Sequence, residues 1–171
     1  ILDSLIKNYK NKEFNNVESQ AILITKDYPN YSFGWKILGS VLKLNGKINE
    51  SLAATLKSVD LSPNDFEVHY NLANVYKEIG NLRDAVNCYK KSISLKSNYF
   101  QAFFNLANTY KELEVFDEAI KSYQKAISIK PDYAKAYYNL ATVFQDLGKL
   151  DDAKKNYENA IKYFSTAISK I

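Results

Sequence analysis

The side chains best suited to catalysis are scarce in this chain. Among its 171 residues there is one Cys, Cys88, one His, His69, and no Met. A zinc site needs three or four Cys, His or carboxylate ligands, and a nucleophilic thiol needs a base beside it. A single Cys also cannot form an internal disulfide. The sequence therefore predicts no metal site and no disulfide within the chain.

The remaining candidates for catalytic chemistry have structural interpretations. His69 occupies a column of aromatic residues in the repeat described below, which favours packing between helices over general-base catalysis. Asp151 and Asp152 begin a predicted helix, where carboxylates complement the helix dipole. The chain also has no Gly-rich loop of the kind that cradles phosphates. We therefore predict that this segment is not an enzyme and holds no cofactor.

Amide side chains at a regular spacing indicate a different chemistry, the binding of peptide groups. Asn71, Asn105 and Asn139 lie 34 residues apart. A primary amide donates and accepts hydrogen bonds, so a row of amides can bind successive peptide units of an extended chain. The predicted binding residues are these three, the amides Asn74 and Asn108, the aromatic residues Tyr70, Phe104 and Tyr138, and the basic residues Lys36, Lys77, Lys111 and Lys135.

The alternative is that Asn is simply tolerated at exposed helix positions in a chain rich in Asn and Lys. In the peptide-binding interpretation, the amides are expected to be solvent-exposed. Replacing Asn71, Asn105 and Asn139 by Ala should then weaken peptide binding and change the melting temperature by only a few degrees.

The elements that carry these side chains repeat with a period of 34 residues. Pro29, Pro63 and Pro131 are separated by 34 residues and by twice 34. The same register aligns columns of leucines, small residues, aromatic residues and turn residues. Examples are Leu38, Leu72, Leu106 and Leu140; Gly39, Ala73, Ala107 and Ala141; Thr55, Tyr89, Tyr123 and Tyr157; and Gly46, Gly80, Glu114 and Gly148.

Within each repeat, apolar residues recur at spacings of three, four and seven, which predicts amphipathic helices. Two helices fit in each repeat. The break between them carries Gly80 or Gly148, whose freedom at positive φ suits a helix C-terminus. The small residues, such as Ala73 and Ala85, would allow the two helix axes to approach closely.

These columns resemble the tetratricopeptide repeat (TPR), and the resemblance covers the whole chain. It implies an all-α TPR solenoid, a right-handed superhelix of antiparallel helix hairpins, forming one domain over residues 1–171. About five repeats are predicted, near 1–31, 32–65, 66–99, 100–133 and 134–167, with a C-terminal helical extension. The first helices would line the concave groove. The departures are His69 at the aromatic position, Glu114 at the turn Gly, Ser97 and Ser165 for Pro, and a deletion between Tyr9 and Phe14.

The motif Asn-Leu-Ala, as in Asn71-Leu72-Ala73, resembles the TPR region of O-linked N-acetylglucosamine transferase and SPINDLY-like glycosyltransferases. It recurs at 105–107 and 139–141, whereas Ile37 interrupts the row of amides in the second repeat. Residues 31–61 also resemble bacterial TPR segments that precede glycosyltransferase or sulfotransferase domains. The resemblance implies that this segment recruits a polypeptide substrate to a separate catalytic domain.

Charge and hydropathy restrict the other partners. The formal charge of +4 comes from dispersed Lys residues, with Arg83 as the only Arg. Nucleic acid is therefore not an expected partner, because phosphate and base recognition favours guanidinium groups. No stretch reaches the roughly 18 apolar residues of a membrane span, and no secretory signal is present, so we expect no membrane partner and a cytoplasmic location. Since the chain lacks an initiator Met, we expect it to be part of a longer protein.

Of two further binding modes, the residues disfavour the first and leave the second as an alternative. A clamp for a C-terminal carboxylate, as in some chaperone partners, matches at Asn74, Asn105 and Lys135 but not at Tyr70 and Asn139. A self-associating scaffold is the other mode. At the end of the last repeat, an apolar stripe continues at helical spacing through Ile161, Phe164, Ile168 and Ile171. It predicts either packing against a continuation of the parent protein or a homodimer through the C-terminal helix.

Overall fold

The computed structural model describes Asn8 and residues 11–169. Within residues 11–169 the backbone forms nine α-helices and no strand, so the predicted all-α fold is confirmed. None of these helices is long and apolar enough to span a membrane. The helices are α1 (Phe14–Asp27), α2 (Ser32–Leu44), α3 (Ile48–Leu61), α4 (Phe66–Glu78), α5 (Leu82–Leu95), α6 (Phe100–Glu112), α7 (Phe116–Ile129), α8 (Ala134–Asp146) and α9 (Leu150–Ile168).

The chain forms two compact units, Ile1–Leu95 and Lys96–Ile171. In the first unit, α2 pairs with α3 and α4 pairs with α5, while α1 packs against α2 and α3 against α4. In the second unit, α6 pairs with α7, α8 pairs with α9, and α7 also contacts α8. Each pair is one of the helical hairpins predicted by the 34-residue register. Tyr9, at the predicted deletion, and Ile171, at the end of the predicted stripe, lie outside the described residues.

The hairpins are held together by small residues beside large aromatic ones. The alanines that the register placed at helix crossings are fully buried, as are two tyrosines of the second helices. A methyl side chain lets two helix axes approach, and the neighbouring ring fills the space beside the contact. The fully buried residues of this kind are Ala73, Ala85, Ala107, Ala119, Ala141, Tyr89 and Tyr123.

The turn inside each hairpin uses a left-handed residue. Gly46, Gly80 and Gly148 have φ of 76°, 79° and 71°, and Glu114 takes the same conformation with φ of 59°. Around Glu114, the Val115 N–H donates to Tyr110 O at 2.9 Å and the Glu114 N–H donates to Lys111 O at 3.0 Å, as in a Schellman motif. The turn therefore keeps its geometry where the sequence lacks glycine.

Replacing Glu114 by Gly is expected to raise the free energy of unfolding by about 1 kcal/mol, because an L-residue is strained in the left-handed region. Urea denaturation followed by circular dichroism measures this change. The control is Gln124→Gly on the exposed face of α7, which should lower stability by about 0.5–1 kcal/mol. If Glu114→Gly were less stable than the parent, the Glu114 side chain would stabilise the fold by more than its strained backbone destabilises it.

Two ring nitrogens tie first helices to the loops before them. Trp35 Nε1 donates to Pro29 O at 2.8 Å, and His69 Nε2 lies 2.7 Å from Pro63 O. Because a carbonyl oxygen can only accept, His69 Nε2 donates the proton of this hydrogen bond. His69 is buried in the aromatic column, as predicted, and its ring N–H serves the fold.

Candidate functional site

The candidate site in each unit is the surface of its first helices, which we name the first-helix face of that unit. In the first unit it is formed by α2 and α4. Asn71 Nδ2 donates to Ser40 Oγ at 3.3 Å, and Asn74 Oδ1 accepts from the Tyr89 hydroxyl at 2.6 Å. The Tyr70 ring lies 5.9 Å from that of Tyr89. The predicted amides of this unit are thus part of a network that reaches the second helix of the hairpin.

In the second unit the first-helix face is formed by α6 and α8. Asn139 Nδ2 donates to Asn108 Oδ1 at 2.8 Å, which joins the two helices. The same Asn108 oxygen accepts from the Tyr123 hydroxyl at 2.5 Å. Burial raises the pKa of Tyr123 far above its usual range, against the opposing effect of its hydrogen bond with Asn139. The hydroxyl therefore stays protonated and acts as a donor.

The expectation that the three repeated amides are solvent-exposed is wrong. Asn71, Asn105 and Asn139 are each half-buried, and the donors of Asn71 and Asn139 are engaged within the chain. The reason is that residues 31 apart meet on neighbouring first helices. The Oδ1 atoms of Asn71 and Asn139 are left as acceptors for a ligand.

The aromatic residues beside the amides are partly packed against other rings and partly exposed to solvent. Tyr138 is 50% exposed, while its ring packs edge-on against Tyr157 at 5.6 Å. Phe104 is half-buried and contacts the rings of Tyr123 at 5.9 Å and Tyr133 at 5.0 Å. A bound chain would therefore find a firmly held aromatic surface on α6 and α8.

Two of the four predicted lysines are used in ion pairs within the chain. Lys36 Nζ lies 3.1 Å from Asp65 and 2.7 Å from Glu67. Burial acts to lower the pKa of Lys36, but its bonds with Glu67 and Asp65 outweigh burial and raise it. Lys111 donates to Thr142 Oγ1 at 2.7 Å and lies 3.7 Å from Asp146.

The other two predicted lysines differ in exposure, since Lys77 is half-buried and Lys135 is exposed near the start of α8. Lys135 is therefore the cation of the predicted set that is best presented to an acidic group on a ligand.

Of the side chains considered for catalysis, the Cys88 thiol is half-buried. Burial, helped by the nearby Asp84 carboxylate, raises the pKa of the Cys88 thiol to about 11, so almost no thiolate exists at neutral pH. Across the described part of the chain, no three His, Cys, Asp or Glu side chains gather as metal ligands would.

Sequence reasoning missed the contribution of the tyrosine hydroxyls. Tyr89 and Tyr123 belong to the packing column of the second helices, yet their hydroxyls bond to Asn74 and Asn108. The signal was present in the register, because each tyrosine follows its amide by 15 residues. Each of these tyrosines therefore packs in the core with its ring and positions an amide with its hydroxyl.

The predicted association surface lies on the last two turns of α9. Ile161, Phe164 and Ile168 are 65%, 41% and 72% exposed. At the position equivalent to Ile161, Ile93 and Ile127 of the preceding repeats are half-buried. Ile161 is therefore more exposed than its equivalents in the two preceding repeats.

Solved structures share this arrangement of helices. A crystal structure of MamA aligns over 95% of this chain and 95% of its own, with 24% identity and a TM-score of 0.88. MamA from residue 41 onward of Desulfovibrio magneticus RS-1 covers 96% and 93% at 15% identity, with a TM-score of 0.87. YrrB, a TPR protein with an unusual peptide-binding site, covers 93% and 82% at 15% identity, with a TM-score of 0.78. At these identities the likeness shows the fold alone.

Comparison with models of sequence families identifies the family of the chain. No curated protein sequence matches the chain. The TPR repeat model matches residues 39–80, 73–114 and 108–148, and the tetratricopeptide repeat model matches residues 134–167. Since these matches together span residues 39–167, the protein belongs to the tetratricopeptide repeat family.

Proposed function

We propose that this chain is a protein-interaction module that binds extended polypeptide on the first-helix face of each unit. The observation that carries the proposal is the recurrence, in both units, of a half-buried amide beside an aromatic ring on a first helix. Tyr70 precedes Asn71 on α4, and Tyr138 precedes Asn139 on α8. Membership of the TPR family and the fold shared with YrrB, which has a peptide-binding site, support the same function.

The internal network prepares these amides for binding. Asn71 and Asn139 use Nδ2 to bond to the neighbouring first helix, which fixes the direction of each Oδ1. An oriented Oδ1 accepts a peptide N–H at little entropic cost, because its side chain is already ordered. The adjacent ring supplies apolar contact, so the face binds the backbone of an extended chain without reading every side chain.

Replacing Asn71, Asn105 and Asn139 by Ala is expected to weaken peptide binding at least about tenfold. The probe is a 12-residue peptide selected from a displayed random library on the immobilised parent protein, and its Kd is measured by fluorescence anisotropy. Because the hydrogen bonds from Asn71 to Ser40 and from Asn139 to Asn108 are lost, we also expect the free energy of unfolding to fall by about 0.5–1.5 kcal/mol for each bond. Binding is therefore measured well below the melting temperature of the variant.

The matched control replaces three Asn residues of the second helices, Asn49, Asn87 and Asn156, by Ala. They lie on α3, α5 and α9, outside the first-helix face. This control should keep the parent Kd. Failure to select any peptide, or equal affinity of the two triple variants, would contradict the proposed function.

Recruitment of the bound polypeptide to a catalytic domain elsewhere in a longer protein is a further part of this proposal. It rests on the Asn-Leu-Ala motif at 71–73, 105–107 and 139–141.

A second candidate function is a self-associating scaffold. Its supporting observation is the exposed stripe of Ile161, Phe164 and Ile168 on α9, since the residues equivalent to Ile161 in the two preceding repeats are half-buried. Pairing of the same stripe about a two-fold axis would cover it and stop at a dimer.

A further inference from the structure

The second repeat lacks an aromatic pair that the other described hairpins share. In those hairpins, a ring on the first helix packs against a tyrosine on the second helix. The pairs, with their ring-centre distances, are Tyr70 and Tyr89 at 5.9 Å, Phe104 and Tyr123 at 5.9 Å, and Tyr138 and Tyr157 at 5.6 Å. In the hairpin of α2 and α3, the register places Lys36 and Thr55 at these positions.

The neighbours of this pair depart from the register as well. Gly39 stands where later repeats have Ala, and Ser40 stands where Asn74 and Asn108 lie. A Cβ at Gly39 would collide with Thr55 Oγ1, so the two helices approach more closely here than an alanine would permit. The Ser51 hydroxyl donates to Gly39 O at 2.7 Å across the same contact.

The missing ring leaves an open cleft between α2, α3 and α4. Its volume is about 210 Å³, and its lining includes Gly39, Ser40, Thr55, Asn71 and Asn74. This is about seven times the ~30 Å³ that a water molecule occupies in the liquid. It is less than the ~300 Å³ at which pockets for whole small molecules begin. The cleft is therefore sized for one side chain.

The hydroxyl groups of the cleft favour a ligand that donates a hydrogen bond. Ser40 Oγ already donates to Lys36 O at 2.9 Å, and Thr55 Oγ1 already donates to Ser51 O at 2.7 Å. Each hydroxyl has one proton, so towards a ligand both can only accept. Lys43, at the rim, lies 4.0 Å from Glu78, which reduces its attraction for a ligand carboxylate.

We infer that this cleft is a pocket for a tyrosine side chain of the bound polypeptide. The ring of the ligand tyrosine occupies the position that corresponds to the rings of Tyr89 and Tyr123 in their own hairpins. Leu44 and Val75 supply the apolar part of the wall. The phenol donates to Ser40 Oγ, as the hydroxyls of Tyr89 and Tyr123 donate to Asn74 and Asn108. The inference rests on the proposed function and names the side chain that the first-helix face reads.

The pocket is first tested with a minimal probe, N-acetyl-tyrosinamide, by NMR titration of the labelled protein. We expect saturable chemical-shift changes of the Gly39 backbone amide and of the Asn71 and Asn74 side-chain amides. Their half-saturation should require at least about tenfold less N-acetyl-tyrosinamide than N-acetyl-alaninamide. N-acetyl-phenylalaninamide, which lacks the donor, should bind more weakly than the tyrosine probe. Equal responses to the tyrosine and alanine probes would overturn the pocket.

Two variants close the cleft in different ways. Thr55→Tyr restores the tyrosine of the register, and Ser40→Phe fills the cleft from α2 without changing Thr55. Both should abolish the response to the tyrosine probe, whereas the control Thr55→Ser, which keeps the hydroxyl and the space, should retain it. An undiminished response in either folded filled variant would overturn the inference, and the titration of the parent protein decides the question if neither variant folds.

Guest peptides separate this inference from the proposed function. A binding 12-residue peptide is prepared with Tyr, Ala or Glu at each position in turn, and its Kd is measured on the parent and on Thr55→Tyr. The pocket requires one position where Tyr binds about tenfold better than Ala, with the preference lost in Thr55→Tyr. Peptides that bind without such a position would refute the pocket and leave the peptide-binding function standing. A response to N-acetyl-tyrosinamide without any peptide binding would support the pocket and refute the function.

Discussion

Replacing Tyr123 by Ala is expected to lower the free energy of unfolding by about 3–5 kcal/mol. The ring is fully buried and packs against Phe104 at 5.9 Å, so its removal leaves a cavity between α6 and α7. The hydrogen bond from its hydroxyl to Asn108 at 2.5 Å is lost as well. Urea denaturation followed by far-UV circular dichroism measures the change.

Two variants separate the contributions of the Tyr123 ring and hydroxyl. Tyr123→Phe keeps the ring and should lower the unfolding free energy by only about 0.5–1.5 kcal/mol, since Asn108 Oδ1 still accepts from Asn139. Tyr28→Ala removes an exposed tyrosine and should change it by less than about 0.5 kcal/mol. If Tyr123→Ala were as stable as Tyr28→Ala, the ring would not hold this hairpin together.

The exposed stripe on α9 is expected to make the chain dimeric at high micromolar concentration. Covering each large apolar side chain contributes roughly 1.5–3 kcal/mol, and Ile161, Phe164 and Ile168 are all available for this burial. The double variant Phe164→Ser with Ile168→Ser should therefore sediment as a monomer under conditions where the parent sediments as a dimer. Circular dichroism should show the same helix content for both.

The control for the α9 variant is Ile22→Ser with Leu23→Ser, which removes two exposed apolar side chains from α1. It should leave the dimer intact. A parent chain that sediments as a monomer throughout this concentration range would rule out the scaffold through α9. Dissociation by the α1 variant, with the α9 variant still dimeric, would move the interface to α1.

The positions of the helices could be predicted from the sequence because packing follows the register. Leu72, Ala73 and Tyr76 recur with a fixed spacing, and such a column determines which residues face the neighbouring helix. At Glu114, the turn keeps the predicted geometry because the helices on either side follow the register, although this one residue departs from it. The surrounding hydrogen bonds hold it left-handed although glycine is absent.

The hydrogen bonds of the candidate site were harder to predict, because they join residues that the register treats separately. Asn139 meets Asn108 over 31 residues, and Tyr123 meets the same amide over 15. The repeat alignment predicts which type of residue recurs at a position, but it does not predict which donor bonds to which acceptor. The cleft at Thr55 was missed for a related reason, since it arises from several small departures in one repeat.

Within each unit, the packing runs between helices that are near neighbours in sequence, and this has an evolutionary consequence. Among the described helices, the hairpin of α2 and α3 packs mainly against α1 and α4. Changes in one hairpin, such as Thr55 and Gly39, therefore leave the cores of more distant hairpins intact. A gene of this type can duplicate a 34-residue block and then let one copy diverge towards a new ligand, while the other copies continue to maintain the fold.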